Sequence, residues 1–81
     1  MKLPRNLGGL ELVNLLQRYG YRIVRQEGSH LRLESHYKNE PHHLTIPAHH
    51  QLKIGTLNQI LRMVSGFVGM SKDKLVQELF G

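Results

Sequence analysis

Residues 21–47, with the sequence YRIVRQEGSHLRLESHYKNEPHHLTIP, decide the fold. Residues 21–26 are rich in β-formers, and apolar and polar side chains alternate over residues 30–37, as in a strand with one buried face. A turn signal, Glu-Gly-Ser, lies between these two runs. Residues 42–46, which a proline follows, give a third short strand. The segment therefore predicts an antiparallel sheet of three consecutive strands.

The alternation also predicts what each face of the second strand carries. Successive side chains of a strand point to opposite faces, and both leucines of residues 30–37 have the same parity. The side chains of the other parity are titratable: His30, Arg32, Glu34 and His36. We expect the leucines to face the core and the titratable groups to face solvent.

Two amphipathic stretches flank the strands. Residues 12–19 have apolar side chains at i, i+1, i+4 and i+7, which predicts a helix that Gly20 ends in a left-handed conformation. A second helix is predicted to begin near Gly55, where Thr56 and Gln59 have the spacing of a capping box.

The C-terminal part of the chain contains two further helix signals. The dipeptide Ser65-Gly66 is expected to end the second helix. Ser71 is a suitable N-cap for a last short helix, which should dock on the body of the protein or on a partner. The predicted fold is an α+β two-layer sandwich of order α-β-β-β-α with a C-terminal helical appendage, both main helices covering the leucine face.

Length and composition limit the possible classes of protein. A chain of 81 residues supports one modest core, which excludes multi-domain and dinucleotide-binding architectures. The absence of cysteine excludes a disulfide scaffold and thiolate chemistry, so a cytoplasmic location is expected. No apolar run approaches the roughly 18 residues of a membrane span, so no membrane association is expected.

The charge balance favours an anionic partner. Eleven Lys and Arg residues stand against six Asp and Glu residues, a formal net charge of +5. Such a chain attracts polyanions, of which nucleic acid is the commonest in a cell. Charge alone also allows an acidic protein as the partner.

His30 is the strongest catalytic candidate, because it follows the turn residues Gly28 and Ser29 directly. RNA cleavage by an attacking 2′-OH needs a base for the hydroxyl proton and an acid for the departing 5′-oxygen, and imidazole can serve in either role near neutral pH. The simpler interpretation is an exposed histidine that the sheet tolerates.

Four other residues are candidates for contacts with an RNA backbone. Arg32 shares the strand face of His30, and Arg25 lies just before the turn on the preceding strand. Lys53 and Thr56 lie at the predicted start of the second helix, where free N–H groups and the helix dipole favour a phosphate. Each of these residues is also an ordinary solvated side chain or helix cap.

The histidine pairs do not predict a metal site. Adjacent histidines of a strand, such as His42 and His43, point to opposite faces, and no two histidines have the i, i+4 spacing of a helical zinc site. We expect neither a metal nor a small-molecule cofactor. His49 is a second histidine that could complement His30 as acid or base.

Several ordered motifs of the chain together resemble the HicA family, also called YcfA-like. The resemblance covers roughly residues 3–66. It depends on Gly20-Tyr21, on RQEGSH at residues 25–30, on TIPAH at residues 45–49 and on LKIGTLNQIL at residues 52–61.

This resemblance implies a fold like that of double-stranded-RNA-binding domains and the activity of a type II toxin that cleaves messenger RNA and blocks translation. The histidine of the family's GSH turn is its catalytic residue, which by position is His30, with Gly28 and Ser29 shaping the turn. The implied partners are RNA and a HicB antitoxin that covers the active face. Residues 1–81 would form one HicA-like domain, with a core of about 3–66 and a variable tail, 67–81.

Two other hypotheses remain open. A non-catalytic RNA-binding module of the same fold would contact backbone and sugar through the turn without cleaving a bond. A protein-interaction adaptor would use the basic face only to bind an acidic partner.

Overall fold

Helices flank three consecutive strands in a computed structural model that describes residues 3–81. The elements are α1 (Gly9–Leu16), a 3-10 turn (Gln17–Tyr19), β1 (Arg22–Glu27), β2 (His30–Ser35), β3 (His42–Pro47), α2 (Ile54–Val68) and α3 (Lys72–Phe80). The strands form one antiparallel sheet in the order β1-β2-β3, so β2 is the central strand. The predicted α+β architecture is confirmed.

A two-residue turn joins β1 to β2. Glu27 pairs with His30, which leaves only Gly28 and Ser29 in the loop. Gly28 has a φ of +57°, whereas no residue other than glycine has a positive φ in the described chain. A positive φ at the first loop position alone is typical of the type II′ turn, whose twist matches that of the two strands.

The core lies on one face of the sheet, as the alternation predicts. The core-facing strand residues are at most 3% exposed: Leu31, Leu33, Leu44 and Ile46. They pack against the apolar stripes of α1 and α2, which include Leu12, Leu16, Leu57 and Leu61, all 0% exposed. Burial of this apolar surface is the main stabilising contribution to the fold, at roughly 25 cal/mol per Å².

Strand β1 departs from simple alternation. Its register against β2 shifts between Ile23 and Arg25, so that Val24 is the extra residue of a β-bulge. All six residues of the strand are exposed, including the apolar residues Ile23 and Val24, which are 40% and 45% exposed. The bulge also reverses the parity of the strand, which changes the face that its polar side chains occupy.

The second strand is shorter than the sequence predicts. It ends at Ser35 and not at residue 37. The buried Ser35 hydroxyl donates to the Tyr19 carbonyl oxygen at 2.6 Å and accepts from the Tyr37 amide at 3.1 Å. These side-chain hydrogen bonds replace the strand ladder, and the chain turns away from the sheet.

The ends of α2 also differ from the predicted ones. Lys53 is the N-cap and has no side-chain capping bond, so the expected capping box of Thr56 and Gln59 is wrong. The helix continues through Gly66 because Val68 extends the buried stripe, and it ends only at Gly69, which adopts the left-handed conformation with φ +79°. The cost of a helical glycine, about 1 kcal/mol, is thus offset by burial of the next turn.

The C-terminal helix α3 docks on the body of the protein. Ser71 caps it as predicted, accepting a hydrogen bond from the Lys74 amide at 3.1 Å. Its buried face consists of Leu75, Val76 and Leu79. The Arg18 guanidinium donates to the Glu78 carbonyl at 2.5 Å, which ties the end of α3 to the 3-10 turn.

The start of α1 lies directly against the end of β3. The Gly9 amide donates to the His49 carbonyl at 2.9 Å, and a Cβ on Gly9 would lie only 2.0 Å from the Pro47 carbonyl oxygen. Only glycine permits this approach. The contact fixes the path of residues 48–53 beside the turn that carries His30.

We expect Gly9→Ala to lower the free energy of unfolding by about 1–3 kcal/mol, because the added methyl group overlaps a backbone carbonyl. Gly66→Ala is the matched control, since a Cβ there has no heavy atom within 4 Å and alanine is the better helix former. Urea unfolding should show opposite changes for the two variants. Equal stability of Gly9→Ala and wild type would contradict the role of this contact.

Candidate functional site on the exposed sheet face

The solvent-facing side of the sheet carries a compact set of charged residues next to the hairpin turn. Arg25 of β1 pairs with Arg32 of β2, and Glu27 pairs with His30 two residues further along, which is the next rung on the same face of the sheet. Side chains directly opposite in an antiparallel pair have Cβ atoms about 4.5–5.5 Å apart. The four side chains therefore form a patch two rungs long, which we call the hairpin patch.

His30 is exposed at the start of the central strand, β2. It pairs with Glu27 on one side and with Pro47 on the other. The Ser29 carbonyl accepts a 2.6 Å hydrogen bond from the Ala48 amide, which attaches the turn to the segment after β3. The imidazole thus projects to solvent from a backbone that is held on both sides.

The two arginines of the hairpin patch carry like charges on directly opposite positions, an arrangement that costs stability unless an anion lies nearby. Arg25 Nε lies 3.4 Å from Glu27 Oε1, and both side chains remain more than half exposed. The patch therefore has guanidinium donors that remain accessible to a phosphate.

Arg22 adds a third cation to this face, and sequence reasoning missed it. Arg22 and Arg25 are three residues apart, so a regular strand would place them on opposite faces. The bulge in β1 brings both to the solvent side, where Arg22 pairs with Glu34 across the sheet at 3.9 Å. No feature of the sequence marks the position of this bulge.

Two of the six histidines bind a carboxylate. Glu34 accepts hydrogen bonds from His36 Nε2 and His43 Nε2, both at 2.8 Å. These hydrogen bonds hold the pKa of the Glu34 carboxyl below its ordinary value. The cluster lies toward the end of β2 that is remote from the turn, so these two histidines are not part of the hairpin patch.

His42 has a different structural role. Burial raises the pKa of the Tyr21 hydroxyl well above its ordinary value, so this group stays protonated, and it shares a 2.7 Å hydrogen bond with His42 Nδ1. The imidazole also stacks on Phe67, with ring centroids 4.5 Å apart. Partial burial, and to a lesser extent the neighbouring His43, lower the pKa of His42.

Lys53 and Thr56 lie outside the hairpin patch, at the N-terminus of α2. Lys53 is exposed, whereas Thr56 is half-buried in the first turn. A cleft of about 420 Å³ opens beside Lys53 and is also lined by Arg5. The predicted backbone contacts thus fall into two groups, and the loop that follows β3 separates them.

Two further findings concern the described residues 3–81. No group of three or more histidine, aspartate or glutamate side chains is arranged there to hold a metal ion. Within the same range, the helices are too short or too polar to cross a membrane.

The fold and the basic sheet face define a small α+β protein with a surface suited to an anionic partner. Residues 9–64 match the family described as the HicA toxin of bacterial toxin-antitoxin. The match covers more than half of the chain, and the chain therefore belongs to the HicA toxin family. It is a toxin of the toxin–antitoxin type, and α3 lies beyond the matched residues.

The chain was also compared with individual proteins. No curated protein and no solved structure matches the chain significantly. The family assignment therefore depends on the sequence pattern, with which the α-β-β-β-α order agrees.

We expect acidification to lower stability through His42. The folded-state pKa of His42 lies below the ordinary value of about 6.5, so the folded protein favours the neutral imidazole. The contribution of neutral His42 to stability is complete above the unfolded-state pKa, and it is lost as pH falls through the folded-state pKa. Urea unfolding at a series of pH values from about 7.5 to 5 should show a smaller slope for His42→Phe than for wild type. His50→Gln, at an exposed loop position, is the control. Identical slopes for wild type and His42→Phe would contradict the assignment.

Proposed function

We propose that this HicA-family toxin is a metal-independent endoribonuclease, an mRNA interferase, in which His30 acts as general acid or base. The observation that carries the proposal is the position of His30 in the hairpin patch, exposed and one rung from the arginine pair. An imidazole next to cations that can hold a phosphate supplies the two requirements of RNA cleavage by the neighbouring 2′-OH. No cofactor takes part in this proposal.

The phosphate-binding surface around the reacting bond would consist of Arg25, Gly28, Ser29 and Arg32. The arginines neutralise backbone charge, and the turn lets RNA approach the sheet closely because it carries no large side chain. Lys53 and Thr56 would bind a more distant phosphate at the start of α2. These contacts involve backbone and not base edges, so weak sequence selectivity is expected.

The toxin would be neutralised by a HicB-like antitoxin protein. An antitoxin that covers the hairpin patch would block both RNA binding and access to His30. We also propose that residues 1–81 form one domain. The protein would act in the cytoplasm, where messenger RNA and the antitoxin are made.

We expect His30→Ala to abolish RNA cleavage while leaving the urea unfolding midpoint unchanged, because an exposed strand residue contributes little to the core. Both proteins should be incubated with a long single-stranded RNA at neutral pH, with and without EDTA, and the products separated on a denaturing gel. Cleavage by the wild type alone, unaffected by EDTA, is the expected result. Intact RNA with the folded, antitoxin-free wild type would instead support the non-catalytic RNA-binding module.

We expect Arg25→Gln and Arg32→Gln each to weaken RNA binding and to reduce the slope of log K against log salt by about 0.7–1. Binding should be measured by fluorescence anisotropy in the His30→Ala background, so that the RNA stays intact. Lys74→Gln is the control, because it removes the same charge from an exposed position of α3, outside the hairpin patch. A slope that changes equally in all three variants would show that only net charge matters.

A further inference from the structure

Glu27 is the second titratable group at the reacting end of the hairpin patch. It pairs directly with His30 across the two-residue turn, and both side chains project from the solvent face. The turn fixes this pairing, because a loop of two residues permits no slip in register. A carboxylate and an imidazole therefore flank one point of the surface, about 5 Å apart at their Cβ atoms.

The carboxylate of Glu27 is available to a ligand, unlike that of Glu34. Both oxygens of Glu34 accept 2.8 Å hydrogen bonds from histidines. Among the described residues, the one ion pair that Glu27 forms is with the Arg25 guanidinium, at 3.4 Å, and its side chain is 52% exposed. An acidic side chain in a surface that binds a polyanion is unfavourable unless it has a role of its own.

We propose that Glu27 is the general base of the RNA cleavage reaction and that His30 is the general acid. This assignment rests on the proposed function. The Glu27 carboxylate accepts the proton of the 2′-OH, and the 2′-oxygen forms a bond to phosphorus. The bond from phosphorus to the 5′-oxygen breaks, and the His30 imidazolium donates its proton to that oxygen. The products are a 2′,3′-cyclic phosphate and a free 5′-hydroxyl.

The neighbouring side chains suit this division of labour. Arg25 and Arg32, on the adjacent rung, would hold the phosphate whose negative charge increases in the transition state. On the far side of β2 the facing residues are Pro47 and Thr45, which do not titrate. His49 lies two residues beyond Pro47 in the loop after β3. Glu27 is thus the titratable group that the sheet register places opposite His30.

The first test compares Glu27→Gln with Glu40→Gln. Glu40 is an exposed carboxylate in the loop between β2 and β3, at the opposite end of β2 from the turn, and its substitution makes the same charge change. Loss of a general base should lower the single-turnover cleavage rate about 10²–10⁴-fold in Glu27→Gln alone. RNA binding should not weaken, because loss of the Glu27 negative charge lowers the electrostatic repulsion between the patch and the phosphate backbone.

The dependence of the rate on pH gives a second readout. A reaction that needs a deprotonated base and a protonated acid has a bell-shaped dependence of rate on pH, so this shape is expected of the wild type. Glu27→Gln should lose the rise on the acidic side and keep the fall on the basic side. An unchanged bell in Glu27→Gln would overturn the assignment.

A modified substrate separates the acid from the base. A short RNA with sulfur in place of the bridging 5′-oxygen, at a site mapped with wild type, has a leaving group that needs no proton. His30→Ala should recover activity on this RNA, whereas Glu27→Gln should not. Recovery by Glu27→Gln and not by His30→Ala would overturn the assignment of the two roles.

Failure of this inference is distinguishable from failure of the proposed function. Wild-type cleavage that requires His30 but not Glu27 would overturn the role of Glu27 and leave the nuclease activity in place. Absence of cleavage by the folded wild type would overturn both.

Discussion

The register of the β1–β2 hairpin is the constraint on which the rest of the structure depends. Because side chains alternate between faces, a slip of one residue would move Leu31 and Leu33 to solvent and His30 to the core. The two-residue turn at Gly28 disfavours that slip, since its positive φ gives the turn a twist that matches the two strands. One local feature therefore determines both the core and the chemistry of the exposed face.

Two irregular contacts adapt this regular hairpin to its use as a surface. The bulge in β1 restores Arg22 and Arg25 to one face, at the cost of an unpaired residue in an edge strand. The close approach of Gly9 to the end of β3 holds the loop after that strand beside the turn. Rigidity around His30 thus comes from backbone contacts, which leaves the side chains of the hairpin patch free to bind an anion.

The histidines of this chain divide into distinct physical groups despite their similar appearance in sequence. His36 and His43 donate hydrogen bonds to the Glu34 carboxylate. His42 stacks on Phe67 and is hydrogen-bonded to the Tyr21 hydroxyl. Each of these imidazoles has a protein partner. His30 has a strand partner but no hydrogen bond in the described chain to occupy its ring, which suits a group that must exchange protons with a substrate.

The sequence alone predicted the element order, the buried leucine face, the GSH turn and the HicA family, because alternation, turn chemistry and motif order are local properties. It misplaced the end of α2, since only packing shows that the apolar stripe continues past Gly66 to Val68. It could not show which charged residues share a rung, because cross-strand register and the β1 bulge depend on pairing between distant residues. The tertiary structure decided that Glu27 lies opposite His30, and that Lys53 does not join them.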